Sequence, residues 1–294
     1  MNWLGAALAE GPLLGDGAMG TMLFRAGLAP GASAELWNVE QPDLVAGVHR
    51  GYAEAGSAFV TANTFGATPL ALARHGLADR TAELNAAAVA LAREAVGDRV
   101  RVMGDIGPFG GFLEPYGEAS TKAVEETYRA QVAALRVAGA DGVLVETMVD
   151  PNELTIAVRA ARQAGDWPVL ASYAFQRMGA EFRTIMGTGV AEALGAAFDA
   201  GADAAGANCG TNLSLDDYLQ LADELVAAAK GRPVVLQPNA GPPRASGTEI
   251  EYSATPQEMG KWAARAAEVG VRVLGGCCGT TPAHVAAMAQ VLRR

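Results

Sequence analysis

Gly142-Val143-Leu144-Val145-Glu146-Thr147-Met148-Val149-Asp150-Pro151-Asn152-Glu153 carries the grammar of the whole chain. A nearly continuous apolar run ends on a polar pair, Glu146-Thr147. A helix start follows, with Asp150 as N-cap, Pro151 at the first helical position and the Glu153 carboxylate at the third. The reading is a strand over 142–147 followed by a helix over 151–164. Working outward, the same unit recurs. Strands are predicted at Pro12–Ala18, Ala58–Phe65, Val100–Ile106, Gly142–Thr147, Val169–Phe175, Ala204–Asn208, Val234–Pro238 and Val271–Gly275. Helices are predicted near 43–56, 79–96, 120–138, 151–164, 188–200, 214–230, 256–269 and 282–293. Thr255-Pro256-Gln257-Glu258 repeats the Asp150 grammar, and Thr281-Pro282 opens the last helix in the same way. Within 120–138, Val124, Tyr128, Val132 and Leu135 form one apolar stripe, with Glu125 and Arg129 paired on another face. Short strands that are apolar throughout fit a parallel sheet covered on both faces.

Eight such units in 294 residues predict an α/β protein, a single (β/α)8 TIM barrel over 1–294. An open doubly wound sheet is the alternative. A barrel confines chemistry to the C-terminal ends of its strands. Half of the residues are hydrophobic, enough for a sizeable core. The 22 Lys and Arg against 32 Asp and Glu leave a net charge of −10. That balance argues against a nucleic-acid binder and against docking on anionic membranes. No apolar run reaches the ~18 residues that a membrane span needs. Ala7-Leu8-Ala9 mimics a signal cleavage site, but no Lys or Arg precedes Arg25, and Glu10 and Asp16 interrupt the stretch. Three cysteines, an odd number, do not suit a disulfide scaffold and point to a reducing, cytoplasmic setting.

Polar and reactive residues crowd at the predicted strand ends. All three cysteines lie there: Cys209 after strand six, Cys277 and Cys278 after strand eight. In a barrel those strands flank strand seven, so their ends share one side of the mouth. Three converging thiolates make a soft tetrahedral-type site with one position left over, the layout of a catalytic zinc. The bland alternative is that each cysteine is a small buried hydrophobe. A vicinal Cys277–Cys278 disulfide would be strained. His49 and His284 fall in predicted helices and His75 in a loop, so surface or packing roles suit them better than metal ligation. Asp16 and Glu146 sit beside an apolar interior, where a carboxylate must be paired or hydrogen-bonded. They either brace turns and scaffold arginines or receive a cation such as an amino acid's ammonium. The run Gly15–Gly20 could bring bare backbone amides to a carboxylate or phosphate. It carries no nucleotide-binding fingerprint.

The chain resembles the homocysteine S-methyltransferase family of zinc-dependent (β/α)8 barrels. The resemblance runs through Gly15-Asp16-Gly17-Ala18-Met19-Gly20-Thr21, Gln41-Pro42-Asp43, Ala62-Asn63-Thr64-Phe65-Gly66-Ala67, Gly104-Asp105-Ile106-Gly107-Pro108, Val145-Glu146-Thr147, Gly206-Ala207-Asn208-Cys209-Gly210 and Gly275-Gly276-Cys277-Cys278-Gly279. It covers essentially the whole chain. The motifs look most like the homocysteine-binding module of cobalamin-dependent methionine synthase. The resemblance implies that Cys209, Cys277 and Cys278 hold Zn2+ and are the catalytic centre through it. It implies that backbone amides of Gly17, Ala18 and Met19 take the homocysteine carboxylate, that Glu146 and Asp16 meet its ammonium, and that Asn63 and Thr64 line the site. The implied reaction is methyl transfer to the thiolate of L-homocysteine, giving L-methionine. The implied methyl donor is S-methylmethionine, S-adenosylmethionine, betaine, or a methyl-corrinoid carried by a separate protein. Gly66 and Thr147 stand where the betaine branch typically has tyrosines, and Ala62 departs from a threonine often found there. Two alternatives are a zinc-dependent enzyme acting on another thiol or selenol, and a family member without catalysis.

Overall fold

The computed structural model describes residues 2–246 and 249–292. Eight parallel strands form the centre: β1 (Leu13–Leu14), β2 (Phe59–Thr61), β3 (Arg101–Ile106), β4 (Gly142–Met148), β5 (Val169–Tyr173), β6 (Ala204–Asn208), β7 (Val234–Gln237) and β8 (Val273–Leu274). Their order is β1-β8-β7-β6-β5-β4-β3-β2. The two end strands meet at a seam. There the Ala58 amide donates to the Leu14 carbonyl at 2.7 Å, and the Asp16 carboxylate accepts from the Thr61 amide at 2.7 Å. The sheet is therefore a nearly closed (β/α)8 barrel ringed by helices, and the open doubly wound sheet is set aside.

The observed strands fall within the predicted ones except β4, which runs one residue further to Met148; β6 keeps the predicted bounds and the other ladders are shorter. β1 keeps Leu13–Leu14 of Pro12–Ala18, and β8 keeps Val273–Leu274 of Val271–Gly275. The remaining residues of those runs leave the ladder to build the rim loops. The helices match closely, at Pro42–Ala55, Thr81–Val96, Thr121–Val137, Pro151–Gln163, Val190–Ala200, Leu215–Ala229, Pro256–Val269 and Pro282–Leu292. Residue 293, the predicted end of the last helix, lies outside the described residues. In Thr121–Val137 the predicted stripe is fully buried; each such side chain contributes about 1.5–3 kcal/mol. The exposed Glu125–Arg129 pair, 3.6 Å apart, contributes at most a few tenths of that. Thr255 and Glu258 form the expected capping box. At the other site Asp150 caps the Asn152 amide, but Glu153 is diverted to the Phe109 amide at 2.8 Å and the Tyr128 hydroxyl at 2.6 Å.

The barrel interior is layered. Leu13, Phe59, Met103, Leu144, Leu170, Ala204, Val235 and Val273, one from each strand, form an apolar floor. Beneath it the helix Trp3–Glu10, not foreseen from the sequence, inserts Leu4 into the same cluster. The Trp3 indole N–H donates to the Asp141 carbonyl at 2.9 Å. Two residues further along each strand, on the same face, the layer becomes Gly15, Thr61, Asp105, Glu146, Ser172, Gly206, Gln237 and Gly275. The interior thus turns from hydrocarbon to polar groups towards the C-terminal rim. Two hairpins, also unforeseen, rise from that rim: Gln176–Met178 with Glu181–Arg183, and Pro243–Ser246 with Glu249–Tyr252. No described helix is long and apolar enough to cross a membrane.

Candidate functional site

Cys209 follows β6 directly, and Cys277-Cys278 follow β8. The exit of β7 between them braces both loops. The Cys209 amide donates to the Gln237 carbonyl at 3.4 Å, the Cys277 amide to the Pro238 carbonyl at 2.8 Å, and the Ala240 amide to the Cys278 carbonyl at 2.9 Å. Cys209 itself takes a left-handed conformation, φ 44°. Gly279 has φ 80°, and a β-carbon there would meet the Tyr252 ring at 2.2 Å. That glycine therefore satisfies both a turn and a close approach.

The three thiol sulfurs all lie within 4.8 Å of one another, and Cys209 Sγ is 3.6 Å from Cys278 Sγ. A tetrahedral zinc with Zn–S of about 2.3 Å sets its sulfurs ~3.8 Å apart. The Cys209–Cys278 separation matches that spacing, and the three-thiol donor set suits such an ion. Among the described residues no His, Asp or Glu joins the group as a fourth ligand. The thiols share their protons unequally. Hydrogen bonds from Cys209 and Cys277, with one from the Tyr252 hydroxyl, hold Cys278 down at about 3. The Cys277 thiol is pushed up by its bonds to Cys209 and Cys278 and by burial. At Cys209 the bond with Cys277 pulls down, but the bond to Cys278, burial and the neighbouring charge raise it. A second thiolate beside the first is costly until a divalent cation lies between them.

Carboxylates stand beside the cage. Glu146 is pushed up to about 8 by burial, then by the charges of Asp16 and Cys278. Asp16, 2% exposed, is pushed up to about 7 by burial, against the Thr61 hydrogen bonds that favour its ionised form. Asp105 is raised by burial and by Glu146, Asp16 and Glu35, and its Oδ1 is buried without a partner. Such a constellation has too little positive charge of its own and suits a cationic guest. Beside the Cys277-Cys278 loop, the amides of Gly17 and Met19 donate to no acceptor among the described residues, whereas the Ala18 amide is taken by Thr280 Oγ1 at 3.0 Å. Gly17 is confined, since a β-carbon would lie 2.6 Å from Thr280 Oγ1.

Asn63 and Thr64 turn inward to the scaffold. Asn63 Nδ2 donates to the Ala34 carbonyl at 2.7 Å and Asn38 Oδ1 at 2.9 Å, and Thr64 Oγ1 donates to the Asp105 carbonyl at 2.8 Å. The remaining site residues named from the sequence gather at the rim. Reading by residue type alone overlooked four further groups. Asp105 carries a buried carboxyl, and the Tyr252 hydroxyl meets Cys278 from an unforeseen hairpin. Asn239 Oδ1 is buried without a partner on the β7 exit, and the Asn208 carboxamide touches both Glu146 and Cys277. The available signal was their place at strand ends beside the cysteines, shared by Asn208, Asn239 and Asp105.

A family model described as Homocysteine S-methyltransferase matches residues 13–292. The chain belongs to that family. It is 34% identical to the methionine synthase of Mycobacterium tuberculosis over 97% of this chain and 25% of the relative. It is 33% identical to the methionine synthase of Mycobacterium leprae over 98% of this chain and 25% of that protein. The chain thus spans about a quarter of the length of these relatives. Among solved structures it is similar to the metallated form of the homocysteine methyltransferase MmuM from Escherichia coli. That match has a TM-score of 0.76 and 26% identity, over 95% of this chain and 96% of the other. The oxidised form of MmuM matches with a TM-score of 0.78 and 27% identity, over 98% and 99%.

Proposed function

We propose that this chain is a zinc-dependent methyltransferase that moves a methyl group to the thiolate of L-homocysteine, forming L-methionine. One observation carries the reading: a cage of three sulfurs shares a rim with carboxylates and with backbone amides that, among the described residues, have no acceptor. An amino acid bearing a thiol needs those three receptors. When bound, zinc would supply a Lewis acid that lowers the pKa of an incoming thiol. Cys209, Cys277 and Cys278 would hold it. Glu146 and Asp16 would face the ammonium, and the free amides of Gly17 and Met19 would face the carboxylate. Asp105 is a further carboxyl for the ammonium side. Asn63 and Thr64 would serve by holding the loop after β2. Displacement at a methyl carbon needs no proton transfer from the protein, in keeping with a cage that has no histidine beside it. Holding two reactants in line supplies several kcal/mol of the barrier reduction.

For the donor we favour a methyl-corrinoid presented by another protein module. Exposed large apolar side chains collect on the rim loops: Phe65 after β2, Phe112 and Tyr116 after β3, Met178 and Ile185 after β5, and Ile250 after β7. Exposed apolar side chains on the loops that ring the site suit a macromolecular partner better than a small polar donor. The similarity to methionine synthases supports the same choice. The test is methionine formation by zinc-loaded protein given homocysteine and, in turn, methylcobalamin, S-methylmethionine, S-adenosylmethionine and betaine. Turnover with methylcobalamin supports the reading. Turnover only with a small donor replaces the corrinoid, and no methionine from any of the four removes the reading.

A further inference from the structure

Asn208 ends β6 and is completely buried. Its Oδ1 accepts from the Thr147 amide at 2.8 Å and from Ser172 Oγ at 2.8 Å. Its Nδ2 donates to Thr147 Oγ1 at 2.7 Å and to Glu146 Oε2 at 3.1 Å, and lies 3.8 Å from Cys277 Sγ. One carboxamide therefore reaches from β6 across β5 to the end of β4, and sideways to the loop after β8.

The end of β4 needs holding. The β4–β5 register shifts between Val145 and Met148, so Glu146 and Thr147 form an irregular step. Steps of this kind re-aim side chains beside functional sites. Thr147 has φ 61°. For a β-branched residue that conformation costs on the order of 1–3 kcal/mol and persists only where neighbours impose it. Both Thr147 hydrogen bonds to a side chain go to Asn208. Among the described residues, Asn208 is also the one hydrogen-bond partner of the Glu146 carboxylate.

We propose that Asn208 is a positioning residue that fixes the aim of Glu146 and ties it to the sulfur cage, so that the ammonium and thiol receptors for homocysteine are set as one unit. The proposal rests on the homocysteine reading given above. The amide suits the place because it accepts from the strained backbone through Oδ1 and, through Nδ2, donates to the Glu146 carboxyl and approaches the Cys277 sulfur. An aspartate would keep the shape and the acceptor but present negative charge to Glu146 and to the Cys277 sulfur.

The experiment is a calorimetric titration of zinc-loaded Asn208→Asp with L-homocysteine, without methyl donor, in a cycle with Glu146→Gln and the double variant. Loss of an outer partner of a metal site costs about 10–100-fold, and homocysteine binding to Asn208→Asp is expected to weaken by that range. In the Glu146→Gln background most of this loss should vanish, because the group being aimed is already neutral. Homocysteine affinity within about twofold of wild type, or a loss that adds in full to that of Glu146→Gln, overturns the proposal. A role confined to folding would lower the melting temperature and leave the affinity of the zinc-loaded protein unchanged. If Asn208→Asp does not fold, Asn208→Ser with Thr147→Gly replaces it. Glycine accepts the left-handed backbone unaided, so the link to Glu146 is cut without the strain, and the same loss is required. If wild-type zinc-loaded protein leaves homocysteine unbound, the substrate reading fails by itself. Asn208 is then judged by zinc competition with a chelator: weaker zinc binding in Asn208→Asp upholds the tie to the cage, and unchanged binding overturns it.

Discussion

Cys209 Sγ and Cys278 Sγ stand 3.6 Å apart although 69 residues separate them in the chain. The backbone alone brings them there, through the β7 exit that hydrogen-bonds both cysteine loops. Purified protein is therefore expected to carry about one zinc per chain. Cys209→Ser should lower that content sharply by elemental analysis, and an unchanged content would refute the ligand set.

Glu146→Ala should retain zinc, because its carboxylate is outside the sulfur cage. Homocysteine binding should weaken by about 10-fold or more, the range for losing a hydrogen bond to a charged group. Paired zinc analysis and homocysteine titration check this. Equal affinity for homocysteine would take the ammonium role from Glu146.

Asp16 gives a pH signature. Its pKa is raised from 3.8 to about 7 in the folded chain by burial. Ionisation therefore favours the unfolded chain. The stability linked to this group is complete below the unfolded value and is lost as pH rises to the folded value. Asp16→Asn escapes that loss. Its melting temperature relative to wild type should climb between pH 4 and pH 7 and level off above that, both measured without metal. A difference that stays flat across this window would contradict a buried, raised carboxyl.

Lys230 tests the scaffold away from the site. It ends the helix Leu215–Ala229 with φ 52° and ψ 46°. Glycine takes that conformation without the Cβ penalty. Lys230→Gly should raise stability by about 0.5 kcal/mol in urea denaturation, after the loss of unfolded-state restriction is counted. Methyl transfer should be untouched.

Much of this architecture was legible in the sequence. The pitch of strand and helix gave the barrel, because parallel strands covered on both faces must be short and apolar and their helices need caps. The convergence of the three cysteines was legible too, because all of them stand at strand ends on one side of the predicted barrel mouth. What stayed hidden depends on contacts remote in sequence. Glu153 reads as the third residue of a capping box, yet its carboxylate is drawn to Tyr128 and Phe109. The helix Trp3–Glu10 packs Trp3, Leu4, Ala7 and Leu8 onto the barrel base, but at eight residues it is too short for that stripe to stand out in the sequence. The two rim hairpins are built from strands of three or four residues, too short for their alternation to stand out from the surrounding loops. Asn208 was visible as a neighbour of Cys209, but nothing local says that its carboxamide spans three strands.

Leu4, seated under the apolar floor, has a consequence for traffic. Among the described residues the base is stoppered, so the two reactants of the proposed transfer and their products would share the rim as a doorway. The deeper guest would then enter first and leave last, an ordered sequence of arrivals set by the shape of the vessel.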